Sequence, residues 1–265
     1  MFKNLKLSVF GPLDHQQIKK EIIGGITTFI TMAYIVIVNP SILSTAGTGL
    51  SFSGTLTATV LLSFLLSLLM GLYANLPFAV APGMGINAFF TFTVIISNKV
   101  PWPQALGIVF WAGVIFLILS LTSLREKVAL AIPPNIRFAS AAGIGIFLTF
   151  IGLKGLGLVV ADSSTLVKFG SISPQTVVAL VSSVFTIWLL TKKSPLAFIT
   201  GIFITTCVAL LTGWAKLPTN YFSAPDFKSV FFKLDLIGAL KLSLLPTILS
   251  ICFTDLFDSV STFVG

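Results

Sequence analysis

Residues 76–90 of this 265-residue chain read Leu76-Pro77-Phe78-Ala79-Val80-Ala81-Pro82-Gly83-Met84-Gly85-Ile86-Asn87-Ala88-Phe89-Phe90. The stretch is apolar enough to enter a membrane, yet it cannot run as one regular helix. Pro82 supplies no amide donor and clashes with the turn before it, and Gly83 and Gly85 tolerate non-helical backbone. Backbone freed in this way inside lipid has to be satisfied by protein or by a wet cavity. Two readings are open: a proline kink with a packed asparagine, or an interrupted span that lines a substrate, as half-helix N-termini do in transporters. The second is the expectation adopted. Asn87 offers both donor and acceptor just beyond the break, and Phe89 or Phe90 offers a ring for stacking.

The rest of the chain fits a membrane setting. Hydrophobic residues make up 55% and charged residues 9%, with a mean hydropathy of +1.04; soluble domains carry about 25% charged residues. Apolar stretches near 22–39, 55–74, 78–97, 103–122, 138–160, 175–191, 196–213 and 242–264 reach or approach the roughly 18–20 residues that cross the hydrocarbon core. The expected fold class is an all-α membrane protein with about eight transmembrane helices. The polar stretch Lys3–Glu21 is too long and mixed for a signal-peptide n-region, so the first span is read as uncleaved. Cys207 and Cys252 fall inside spans and are read as buried small hydrophobes, without a disulfide. The single His15 has no second His or Cys nearby, so no metal and no cofactor is expected.

The net charge of +8 is distributed in a way that excludes nucleic acid as a partner. Lys3, Lys6, Lys19 and Lys20 precede span 1, Arg125, Lys127 and Arg137 follow span 4, and Lys192 and Lys193 follow span 6. By the positive-inside rule the N-terminus, residues 1–21, is cytoplasmic, and the basic residues meet anionic lipid headgroups. Four lysines in the long connection Trp214–Lys241 run against that bias; with Pro218 and Pro225 it is read as an extracytoplasmic interfacial or re-entrant segment. Lys154 in the outer part of span 5 snorkels to the interface. Gly24, Gly25, Gly143, Gly145, Gly152, Gly155 and Gly157 are read as points of close helix packing.

Span 8 carries Thr254-Asp255-Leu256-Phe257-Asp258-Ser259. Acids at membrane depth cost about 2.5–3.5 kcal/mol each on insertion scales and are functional-site candidates. Asp255 and Asp258, three residues apart, share roughly one helical face. Such a carboxylate can bind a proton or accept a hydrogen bond from a substrate N–H; the competing reading is an Asp solvated in a vestibule or capping a helix. In span 1, Gly24-Gly25-Ile26-Thr27-Thr28-Phe29-Ile30-Thr31-Met32-Ala33-Tyr34 carries hydroxyls expected to bond back to their own helix, and Asn39-Pro40 is expected to end it.

The strings from Thr27 to Tyr34, Ala81 to Phe90, Ile151 to Lys154 and Asp255 to Ser259 together resemble the nucleobase–cation symporter-2 family, in particular its AzgA-like branch of hypoxanthine, guanine and adenine permeases. The resemblance runs from about Gly11 to the end of the chain. It implies the N-terminal portion of a fold of fourteen helices in two inverted seven-helix repeats, with core helices 1–4 at 22–122, gate helices 5–7 at 138–213, and helix 8 opening the second repeat at 242–265. It implies a broken helix 3 whose non-helical stretch, Pro82 to Ile86, brings Gly83, Met84, Gly85 and Ile86 to the substrate together with Asn87 and Phe89. Asp258 matches the acid of helix 8 that contacts the purine, and Asp258 or Asp255 is the proton-coupling candidate. The implied function is proton-coupled uptake of a purine nucleobase across the cell (inner) membrane, with a homodimer in the full-length protein.

Two departures accompany the resemblance. Ser261 stands where the family pattern has Gly, and helices 9 to 14 do not follow Gly265. A truncated fragment that does not transport is therefore one alternative expectation, and a uracil or anion transporter of the same fold is another. No nucleophile–base pair lies within the spans, so an enzyme is not expected.

Overall fold

The structure is a computed structural model that describes residues 15–122, 133–194, 196–217 and 224–264. Lys3, Lys6, Gly11, Arg125, Lys127, Pro218 and Gly265 lie outside the described residues, as do the side chains of His15, Arg137 and Ser261. The helices are α1 (His15–Met32), α2 (Ile35–Leu43), α3 (Phe52–Leu69), α4 (Met84–Ala88), α5 (Trp102–Leu121), α6 (Pro134–Gly155), α7 (Pro174–Thr191), α8 (Ala197–Leu211) and α9 (Leu245–Val264). Helix α3 runs on as π-helix over Met70–Ala74, and α4 over Phe89–Ser97. Strands β1 (Val159–Asp162) and β2 (Leu166–Phe169) pair antiparallel.

Among the described residues five helices are long and apolar enough to cross a membrane: Ile18–Leu43, Phe52–Ala74, Trp102–Leu121, Pro174–Thr191 and Leu242–Ser259. Three shorter apolar helices, Met84–Ser97, Gly145–Gly155 and Ala197–Leu211, lie where spans 3, 5 and 7 were expected. Span 3 is short because Asn75 turns left-handed at φ 53 and no helix forms before Met84.

Several sequence expectations are corrected. The chain is not purely helical. Helix α6 stops at Gly155, short of the expected 160, because Gly157 adopts φ +72. Leu158 N–H then donates to Leu153 O, and Gly157 N–H donates to Lys154 O, both at 3.0 Å, a Schellman termination that satisfies the last carbonyls. The β-branched and aromatic residues that follow pair as a hairpin. Asn39-Pro40 does not end a helix either: Pro40 lies inside α2. Its ring meets the carbonyl four residues back, that of Val36, and the ladder there is already loosened, Val36 N–H bonding only three residues back to Ala33 O. The helical backbone also begins at His15, inside the N-terminal segment expected to precede span 1.

The chain divides into two units that interleave along the sequence. The first comprises residues up to Asn39, Leu56–Pro82 and Leu153–Pro225. Within it, Thr28 and Thr31 hydroxyls donate to Gly24 O and Thr28 O, as expected of span 1. Asn39, 2% exposed, donates to Thr59 Oγ1 at 2.8 Å. Helix α7 starts at a Ser173 N-cap that accepts from Thr176 N–H, with Pro174 at the first position, a combination that favours initiation. Helices α7 and α8 pack as an antiparallel pair. Ser182 Oγ donates to Gly201 O at 2.8 Å, and a Cβ on Gly201 would collide with Thr186 Oγ1.

The second unit comprises Pro40–Thr55, Gly83–Gly152 and Asp226–Gly265. Its core joins Phe90, Val94 and Ile95 to Ala105, Ile108 and Ala112 of α5 and to Ile248, Ile251 and Cys252 of α9. The segment before α9 returns along α5. Asp235 N–H donates to Pro103 O at 2.9 Å, Trp111 Nε1 donates to Leu236 O at 3.0 Å, and a Cβ on Gly107 would strike Asp235 O. Trp111 is nine residues into α5, about 13 Å along its axis. Ala239 is fully buried there.

Close packing through glycine is made at Gly54 against Ser229 and Val230, at Gly107, at Gly201 and at Gly238 against Asp235 and Gln104. Among the described residues nothing lies within 4 Å of a Cβ position at Gly24, Gly25, Gly143, Gly145, Gly152, Gly155 or Gly157, so the expected close packing at those seven is not made among them. Cys252 is buried as expected, while Cys207 is only half-buried, and both are free thiols.

Candidate functional site

Helix α9 presents Ile248, Ile251, Cys252 and Leu256 as a buried stripe, the spacing of three and four that one helical face requires. At 100° per residue Asp255 falls on this stripe, and Asp258, one turn further, falls beside it. Both acids are half-buried. Helix α9 contacts α4 as well as α5, and this brings Asp258 to the start of α4.

That start is formed by Gly83, which precedes Met84 in extended conformation (φ −72, ψ 110) and makes no side-chain cap. Asn87 N–H closes the first turn onto Gly83 O at 3.1 Å. A Cβ built on Gly83 would stand 3.3 Å from Asp258 Oδ2 and 3.9 Å from Ile86 Cδ1. The glycine is needed here for approach rather than for conformation, since any residue adopts its φ. The carboxylate therefore lies beside the N-terminal end of a helix, where amides without intrahelical partners carry partial positive charge. An acceptor next to a row of amide donors can engage a planar heterocycle that offers both N–H groups and ring acceptors.

Of the residues expected at the site, Gly83, Met84, Gly85, Ile86, Asn87, Phe89, Asp255 and Asp258 all belong to this unit. Phe89 is partly buried against the core, whereas Phe90, at 4% exposure, is a core residue and has no face free to stack. In the first unit, the non-helical stretch that precedes Gly83 in sequence is held by a residue that sequence reasoning did not single out. Val80 N–H donates to Ser67 Oγ at 2.9 Å, and Ser67 Oγ donates to Val80 O at 3.2 Å. Nothing in the sequence signalled it, since the same helix also carries Ser53, Thr55, Thr57, Thr59 and Ser63. In the same unit, an apolar groove of about 660 Å3 is lined by α1, α3 and Leu76–Ala79, with Glu21 among its residues. None of the expected site residues lines it. Among the described residues no group of His, Cys, Asp and Glu could hold a metal.

The model of the Permease family matches residues 19–265. The chain belongs to the nucleobase–cation symporter-2 permease family. It is 43% identical over 247 residues to a permease-type protein of Methanocaldococcus jannaschii, covering 92% of this chain and 56% of the relative. It is 37% identical over 255 residues to the adenine permease AdeQ of Escherichia coli, covering 96% and 57%. It is 38% identical over 262 residues to the guanine/hypoxanthine permease PbuO of Bacillus subtilis, covering 96% and 60%. The chain of this permease-family member thus spans a little over half the length of the curated relatives it matches. Family membership and the five long apolar helices make it a multi-pass membrane protein.

Proposed function

We propose that the protein transports a purine nucleobase (adenine, hypoxanthine or guanine) across the cell (inner) membrane, by proton-coupled uptake. The observation that carries this reading is the approach of Asp258 Oδ2 to Gly83 at the start of α4. Its support beyond the chain is that the named relatives include permeases for adenine and for guanine and hypoxanthine. Asp258 accepts from purine N–H groups. The backbone of Gly83, Met84, Gly85 and Ile86 lines the ring edge, Asn87 orients it, and Phe89 stacks on it. Asp258 or its neighbour Asp255 carries the coupled proton.

In this reading residues 75–83 and α4 form the broken helix 3 of an inverted-repeat fold with core helices at 22–122, gate helices at 138–213 and helix 8 at 242–265. The N-terminus is cytoplasmic, lipid surrounds the spans, and two copies associate. The test is uptake of labelled hypoxanthine and adenine in cells lacking their own purine uptake. Uptake that is abolished by Asp258→Asn and weakened by Asn87→Ala, at unchanged membrane abundance, supports it; unchanged uptake by both variants removes the assignment.

A further inference from the structure

The purine reading uses α4 and leaves unexplained the helix that continues it. Residues Phe89–Ser97 run in π geometry, with amides bonding five residues back, as Asn98 N–H still does to Thr93 O at 2.9 Å. This geometry is rare and is found frequently at functional sites. Val94 and Ile95 hold the far end of the segment in the core with Ala105, Ile108 and Ala112 of α5. Near its start Thr91 is fully buried, and its Oγ1 has no hydrogen-bond partner among the described residues. A helical threonine ordinarily donates to the carbonyl four residues back, as Thr55 does to Ser51 and Thr254 to Ser250 in the same unit. For Thr91 that carbonyl belongs to Asn87, and the bond is not made. A buried hydroxyl left unbonded is costly, and an apolar side chain of the same shape would avoid that cost.

The contact at the other end of α4 gives the hydroxyl a task. A Cβ on Gly83 would stand 3.3 Å from Asp258 Oδ2. A ring between the glycine and the carboxylate would need roughly 3.5 Å on each side, and that space is not there. A purine that uses both groups therefore has to turn α4. Changing the bonding of the turn at Thr91 from the fifth to the fourth residue back does this. It moves the residues upstream by one position, about 1.5 Å along and about 100° around the axis. Resting on the purine reading, we infer that Thr91 is a positioning residue of the transport site. Its hydroxyl gains the Asn87 carbonyl in the α register, and that bond offsets the cost of turning α4 away from Asp258 when purine binds.

The experiment compares the protein with its Thr91→Val and Thr91→Ser variants. It reads thermal unfolding without purine, hydrogen–deuterium exchange over residues 83–92 with and without hypoxanthine, and saturation of labelled hypoxanthine uptake. Thr91→Val is expected to unfold at no lower a temperature than the unmodified protein, because the hydroxyl has no partner at rest. It is also expected to lose the slowing of exchange that hypoxanthine brings to that segment, and to raise KM about tenfold, the worth of one hydrogen bond. Maximal uptake per molecule in the membrane stays within about twofold. Thr91→Ser keeps the hydroxyl and restores both the protection and KM. A lower unfolding temperature for Thr91→Val without purine, or unchanged KM and protection, overturns the inference and leaves the purine reading standing. An unmodified protein that neither takes up hypoxanthine nor is protected by it overturns the purine reading, and the positioning role with it.

Discussion

Gly83 and Asp258 lie 175 residues apart in sequence, yet the space a Gly83 side chain would take is 3.3 Å from the Asp258 carboxylate oxygen. Two loci that each looked like a functional candidate thereby meet: the residue that precedes α4 and the acid of α9. A methyl group at Gly83 would force Asp258 back by a few tenths of an ångström.

If the protein takes up purines as proposed, Gly83→Ala lowers that uptake at low substrate concentration about tenfold, about 1.4 kcal/mol. Misplacement of one group by a fraction of an ångström is felt this strongly in a preorganised site. Membrane abundance should be unchanged. Uptake equal to that of the unmodified protein would show that the carboxylate has room to spare.

The helix pair α7–α8 offers a test of packing independent of transport. Gly201→Ala places a methyl group on Thr186 Oγ1, and overpacking of this kind costs about 1–3 kcal/mol. The double variant Gly201→Ala with Thr186→Ala should recover most of the loss, because the colliding atom is gone. Thermal unfolding of the detergent-solubilised protein reads both; additive losses would contradict the close approach.

Trp111 holds the returning segment by its indole N–H on Leu236 O. Replacement with Phe keeps most of the apolar contact and removes the donor. The expected cost is about 1 kcal/mol, seen as faster amide exchange at residues 235–240 and unaltered exchange in α7. Equal exchange in both proteins would show that Ala239 and Gly107 suffice.

Two carboxylates outside the spans predict an order of events on acidification. The Ser164 amide, then Lys168 and the Thr165 amide, hold Asp162 below the usual carboxylate range. The Ser229 hydroxyl, then that of Ser53, hold Asp226 further below it. A carboxylate whose folded pKa is depressed stabilises above its unfolded pKa, about 3.9, and loses that contribution as pH falls through the folded value. Residues 159–169 should therefore loosen at a higher pH than residues 226–229. Amide exchange followed from about pH 5 down to about pH 2 checks the order, and Asp162→Asn should remove the pH dependence of the hairpin alone.

Much of the candidate site was legible because its ingredients are rare in a membrane chain. Pro82-Gly83 inside an apolar run, and Asp258 inside another, each carry a cost that sequence alone exposes. Phe90 was not separable from Phe89, since adjacent aromatic residues look alike until one is seen buried within the core and the other only partly buried against it. Ser67 was not legible either, because a serine in a span usually bonds to its own helix, as Ser250 does to Pro246.

What the sequence by itself determined is the membrane setting, a mostly helical chain and the family, all of which follow from composition and from short local strings. Only the tertiary structure decided that α6 yields to a hairpin at Gly157, that Pro40 stays within a helix, that Gly54, Gly107 and Gly201 are tightly packed, and that Asp258 meets Gly83. The reason is physical. Hydropathy and the lack of a proline donor are properties of single residues, whereas closeness depends on which faces pack, and that is set by residues far apart in the chain.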